Sequence, residues 1–128
     1  MSQDFLHQEV SHALQRYETS VVAYRQRVEA SGRPDELDQF HTSAVTPALE
    51  EFERLADGCL VEEDHRRLVK QLRQCHEESV AASYELRHPS KSRVFEEYQR
   101  LAEKAKALEA HCHDVRLALR KYRKDFSA

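Results

Sequence analysis

An all-α fold, an antiparallel up-down-up-down four-helix bundle, is predicted on three observations. Two glycines and three prolines in 128 residues are too few for the turns of an all-β chain. Apolar residues recur in steps of three and four along almost the whole sequence, the period of a helix face. The few helix breakers cut the chain into four long segments joined by short connections, which favours antiparallel neighbours within one domain spanning residues 1–128.

The first segment, residues 4–31, carries Leu6, Val10, Ala13/Leu14, Tyr17, Val21, Tyr24 and Val28 on one seam. Gly32 stands where a helix C-cap adopts positive φ, and Pro34 suits the first turn of the following helix. In the second segment, residues 35–57, the stripe reads Leu37, Phe40, Ala44, Ala48/Leu49, Phe52 and Leu55. Pro47 interrupts it by removing a backbone donor and crowding the preceding turn. The helix therefore kinks near Pro47, or breaks there with Thr46 as a new cap; the continuous stripe favours the kink. Asp57-Gly58 ends the segment as a second glycine cap.

The third segment, residues 61–87, has the seam Val61, His65, Leu68, Leu72, Cys75, Ser79, Ala82 and Leu86, unusually polar for a buried line. His88-Pro89 stops it. The fourth, residues 91–126, is capped by Ser90 or Ser92, with Glu96 and Glu97 near its positive end. It keeps a heptad line through Phe95, Tyr98, Leu101, Ala105, Leu108, Cys112, Val115, Leu119, Tyr122 and Phe126.

Composition narrows the function classes. The chain is 34% charged and 40% apolar, too apolar for a disordered protein. No apolar run approaches a membrane span, and Met1-Ser2-Gln3-Asp4 lacks the order of a secretory signal. Cys59, Cys75 and Cys112 form an odd set, which points to free thiols in the cytoplasm. Residues 1–64 hold 5 Arg/Lys against 14 Asp/Glu, and residues 65–128 hold 15 against 9. An acidic hairpin packed beside a basic one, stitched by ion pairs, explains that split.

There is no phosphate-binding loop, dinucleotide fingerprint or His-Glu-x-x-His. No cysteine sits in a glycine-rich loop, and the carboxylate clusters read as solvated faces, so no enzymatic activity and no cofactor are expected. Antiparallel pairing about Pro89 sets His65 level with Cys112 and His113. His65, His111, Cys112 and His113 are thus the candidate metal ligands, although His111 and His113 differ by about 200° around a helix and cannot both face His65. His7, His12, His41, His76, His88, His111 and His113 fall beside the seams and are expected on solvated flanks. Several of them near the acidic first two helices would make the fold respond to pH between about 5 and 7. His76 is not followed by the Lys-Gly pair of histidine phosphotransfer bundles; Ser79 and Val80 stand there instead.

The last segment overhangs the third by about 8 residues, roughly 12 Å. It carries Arg116, Arg120, Lys121, Arg123 and Lys124 against Asp125, more cations than a helix dipole needs. Arg116, Leu119, Arg120, Tyr122, Arg123, Lys124 and Phe126 are accordingly the candidate partner-binding residues. Tyr122 and Phe126 need cover from Phe5 and Leu6, from a second copy of the chain, or from a partner. The expected function is a non-catalytic protein–protein interaction module, such as a small cytosolic adaptor, chaperone or inhibitor. It would bind an acidic partner through this helix face, with the kinked second helix as a second candidate. The alternative is a metal- or ligand-binding bundle using His65, Cys112 and a flanking histidine. A third reading, nucleic-acid binding through the basic last helix, is opposed by the acidic first half and a pI near 6.2.

Overall fold

The computed structural model describes residues 3–59, 63–87 and 94–127, with side chains described for residues 7–58, 63–86 and 95–120. The elements are α1 (Gln3–Glu29), α2 (Pro34–Phe40), a π-helical turn (His41–Val45), α3 (Thr46–Cys59), α4 (Glu63–Arg87) and α5 (Val94–Ser127). No strand occurs among the described residues. With α2, the π-turn and α3 counted as one kinked helix, four helices form the expected bundle. Val61, His88, Pro89, Ser90 and Ser92 lie outside the described residues.

The core follows the predicted seams of α1 and α5. Val10, Leu14, Tyr17, Val21, Tyr24 and Val28 are buried from α1, and Leu101, Ala105, Leu108, Cys112, Val115 and Leu119 from α5. Phe95, assigned to the α5 seam, instead stands 74% exposed, rotated off the line that Leu101 and Ala105 begin. The acidic and basic halves meet across the expected ion pairs: Arg116 reaches Glu18 at 2.9 Å, Lys106 lies 3.9 Å from Glu29, and Arg73 grips Glu53. Arg25 to Glu109, at 2.7 Å, runs in the opposite sense. Each such pair adds at most about 1 kcal/mol, but together they fix which helix lies beside which.

α1 ends differently from the sequence expectation. Ser31, not Gly32, takes the left-handed conformation, at φ 57°. Its N–H bonds Val28 O at 2.9 Å while Gly32 N–H bonds Arg27 O at 2.9 Å, the paired bonds of a Schellman motif. Gly32 eases a tight approach: a Cβ there would lie 3.1 Å from Arg27 O and 3.2 Å from the buried Leu37 side chain. Tyr98 Oη seals the turn by donating to Gly32 O at 2.6 Å. Ser31→Gly removes the steric penalty of a left-handed L-residue and is expected to raise stability by about 0.5–1 kcal/mol, read as a higher urea midpoint at unchanged slope.

Pro34 opens α2 at its first position, as expected. Gly58 is not a cap: it lies within α3, which runs on to Cys59, and no glycine has positive φ.

The kink is a π-turn. Pro47 has no N–H for Ser43 O, and its ring crowds that carbonyl. The chain takes one more residue into the turn, and Thr46 N–H bonds His41 O five residues back. Thr46 stays helical, at φ −61° and ψ −46°, so it does not start a separate helix. The wider turn moves the buried stripe of this helix by one position. Leu37, His41, Val45, Leu49, Phe52 and Ala56 are buried, while Phe40, Ala48 and Leu55 are only partly so. Phe40 is held on the flank instead, stacked with Tyr24 and covered by the Arg27 guanidinium 4.1 Å above its ring.

Candidate functional site

The π-turn has two consequences that define the site: it redirects α3, and it places two histidines in the core. Beyond the turn α3 packs along α1, whereas α2 is the part that leans on α4. α3 and the first half of α4 therefore diverge, leaving a groove of about 520 Å³. Ala56 and Val69 supply its apolar surface, together with the aliphatic stems of Arg66, Lys70 and Arg73. Glu53 and Asp57 edge it on the α3 side. Its inner end is bolted by Arg73, whose Nε donates to Glu53 at 2.9 Å and whose Nη1 donates to Glu77 at 2.9 Å. Those bonds hold the guanidinium pKa above its usual value. Arg67 continues the cationic side of α4 beyond the groove, in a shallower depression with Glu63.

At the inner side of the elbow lies a buried polar chain. Tyr17 Oη stands 2.9 Å from His76 Nδ1, His76 Nε2 lies 3.1 Å from Thr46 Oγ1, and Thr46 Oγ1 lies 3.2 Å from His41 Nδ1. The two imidazole centroids are 4.7 Å apart, and His41 meets Tyr24 edge-on at 4.9 Å. Counting protons sets the sense of the chain. If Tyr17 O–H donates to His76 Nδ1, then His76 Nε2–H donates to Thr46, and Thr46 O–H donates to His41 Nδ1. The reverse sense strands both the Tyr17 proton and the His41 Nε2 lone pair; the forward sense leaves only His41 Nε2–H, which indeed has no partner. Nearby, Ser79 Oγ also has none. Ser83 faces Tyr24 closely enough to moderate its pKa, which burial raises to about 12, though the two hydroxyls make no well-formed bond.

These positions correct the sequence expectation. His41 and His76, assigned to solvated flanks, are 3% and 1% exposed. On α4 the buried sector is wide enough to take His76 and Ser83 as well as Leu72, Cys75, Ser79, Ala82 and Leu86. Burial lowers the His41 pKa to about 4, against a smaller opposing pull from Asp38 and Glu77. Burial, with His41 and Arg73 adding to it, lowers His76 to about 3. Both rings are neutral at pH 7. An imidazole buried this deeply is also closed to the phosphoryl chemistry of an exposed bundle histidine.

The expected metal ligands are not drawn together. His65 and His111 are half-buried, Cys112 is in the core, and His113 is exposed and bonded to Arg116. Among the described residues no group of three or more His, Cys, Asp or Glu is placed to hold a metal ion. Burial pushes the Cys112 thiol well above its ordinary pKa, away from the thiolate a metal would need.

Of the expected partner-binding residues, Leu119 is buried in the core and Arg116 is spent on Glu18 within the α1–α5 seam. Arg120 is exposed. The backbone of α5 stays helical to Ser127, but the side chains of Tyr122, Arg123, Lys124 and Phe126, like those of Phe5 and Leu6, lie outside those described. The start of α1 does reach the last turns of α5, since His7 Nε2 donates to Leu119 O at 2.9 Å. No helix among the described residues is long and apolar enough to cross a membrane. No protein-family model matches the chain, and no curated protein or solved structure is significantly similar to it.

Proposed function

We propose that the protein is a non-catalytic interaction module that receives an amphipathic helix, acidic along one flank, in the groove between α3 and α4. The observation that carries this reading is the groove itself. It is a carbon-lined cleft of about 520 Å³, within the roughly 300–1,000 Å³ of built binding sites, and its α4 wall is cationic. A helix face needs apolar anchors one turn apart and a rim that sets orientation. The half-buried Val69 and the aliphatic stems of Arg66, Lys70 and Arg73 offer the apolar contact, and the charged ends of Arg66, Arg67 and Lys70 the rim. Acidic residues on the visitor would meet the α4 wall, while Glu53 and Asp57 on the other wall would repel a reversed orientation.

The test is a fluorescence anisotropy titration with a designed helical peptide bearing leucines on one face and glutamates on one flank. The acidic peptide is expected to bind, and a version with lysines in place of the glutamates to bind at least about tenfold more weakly. Val69→Asp, at a half-buried groove position, is expected to abolish binding, and Arg120→Glu to leave it unchanged. Binding that survives Val69→Asp but is lost in Arg120→Glu would move the contact surface to the end of α5.

A further inference from the structure

The buried chain Tyr17–His76–Thr46–His41 is more than core filling, because of where it sits. His41 and Thr46 are the residue that opens the π-turn and the residue that follows it, so they flank the elbow of the kinked helix. Their partners are on other elements: His76 on α4 and Tyr17 on α1. With Arg73 and Glu53, the bond between Thr46 and His76 ties the elbow to α4. Every bond of the chain assumes neutral imidazoles. Protonated His76 can no longer accept from Tyr17, and protonated His41 can no longer accept from Thr46. Two imidazolium rings with centroids 4.7 Å apart would also repel each other in a site that excludes water.

We propose that His41 and His76 form an acid-operated latch. Neutral, they hold the α2–α3 elbow against α4; protonated, they release it and reshape the α3–α4 groove. The effect on the groove rests on the binding reading above, whereas the latch does not.

The charged and titratable surroundings favour release over adjustment in place. From α1 come Tyr17 and Tyr24, both neutral phenols whose pKa burial raises. From α2, Asp38 favours a charged His41, as does Glu77 from α4. Glu77 is exposed and bonded to Arg73. Arg73, also from α4, opposes a charged His76. α3 contributes the neutral Thr46, with Glu53 engaged by Arg73. On the α5 side the neutral Cys112 thiol lies toward Tyr17. The hydrogen-bond partners of the two rings, Tyr17 and Thr46, are neutral, so an added proton is better stabilised when the elbow opens to water.

The latch is tested by hydrogen exchange on the full chain, without any peptide, at pH 7.5 and pH 5, with rates corrected for the pH dependence of the chemistry. At pH 5, amides of residues 35–52 are expected to exchange at least about tenfold faster than those in the middles of α1 and α5, whose exchange through global unfolding also quickens but stays slower. His76→Gln retains an acceptor and a donor but cannot take up a proton, and is expected to remove most of that response. Should this variant fail to fold, ring nitrogen shifts of the wild-type histidines give a second readout: protonation of His41 and His76 must coincide with the opening of residues 35–52 and fall below the titration of an exposed histidine. Unchanged protection at pH 5, residues 35–52 no less protected at pH 5 than the middles of α1 and α5, or an acid response intact in His76→Gln would each overturn the latch. Repeating the peptide titration at both pH values separates the two readings. If exchange changes while peptide affinity stays flat, the latch stands and its link to the groove is overturned.

Discussion

Lowering the pH from 7 to 5 is expected to cost the bundle about 4 kcal/mol of folding stability, about 2 kcal/mol for each buried histidine. The sign follows from which state binds the proton. Unfolded, both imidazoles titrate at the ordinary value of 6.5; folded, burial holds His41 at about 4 and His76 at about 3. Over the intervening range the unfolded chain takes up protons that the native bundle refuses. Stability is therefore complete above about pH 6.5, and it falls as the pH drops toward 4 and then 3. Most small domains have only about 5–15 kcal/mol in total, so a loss of this size is easily measured. Urea unfolding monitored by circular dichroism at the two pH values reads it directly. A midpoint that is unchanged, or higher, at pH 5 would mean that the rings are not buried as described.

The second large effect is expected from a single hydroxyl. Thr46 Oγ1 lies 3.1 Å from His76 Nε2 and 3.2 Å from His41 Nδ1. Thr46→Val keeps the shape and the β-branch but leaves a donor on His76 and an acceptor on His41 without partners. A stranded buried polar group costs about 1–3 kcal/mol, so the variant should lose about 3 kcal/mol at pH 7. Combining Thr46→Val with His76→Leu should cost less than the sum of the two single changes, because the donor stranded by the first is removed by the second. A cycle that adds without coupling would show that water already satisfies these groups in the native state.

Most of the architecture was legible in the sequence because α1 and α5 obey one period throughout. Their seams are the plain three-and-four pattern, and Val10 to Val28 and Leu101 to Leu119 are buried as that pattern requires. The second helix resisted because the pattern was projected through Pro47 at a constant 3.6 residues per turn. Such a reading selects Phe40 and Ala44, whereas the π-turn buries His41 and Val45. A signal was present: Leu37, His41, Val45 and Leu49 are spaced four apart three times in succession. In an unbroken helix those steps would drift by about 120°, so a stripe that keeps them together needs a wider turn. The histidines were missed for a related reason. Each looks like a flank residue alone, and only the tertiary pairing of His76 with Tyr17 and Thr46 makes burial tolerable. The groove could not be read from sequence at all, because it depends on the direction α3 takes after the turn. As for the basic end of α5, the spacing suggested a free cationic face, but it could not show that Arg116 is already engaged by Glu18.

In the arithmetic of insertions and deletions, the π-turn counts as one surplus residue. Strike a single residue from 42–44 and the buried positions of the second helix close up to spacings of three and four, a stripe that an ordinary straight helix satisfies along its whole length. Hydrophobic patterning alone therefore gives no reason to keep the surplus. What it provides is a change of allegiance within one helix, whose first two turns lean on α4 and whose remainder follows α1. A chain one residue shorter would be patterned for a straight second helix that keeps the same neighbours from end to end.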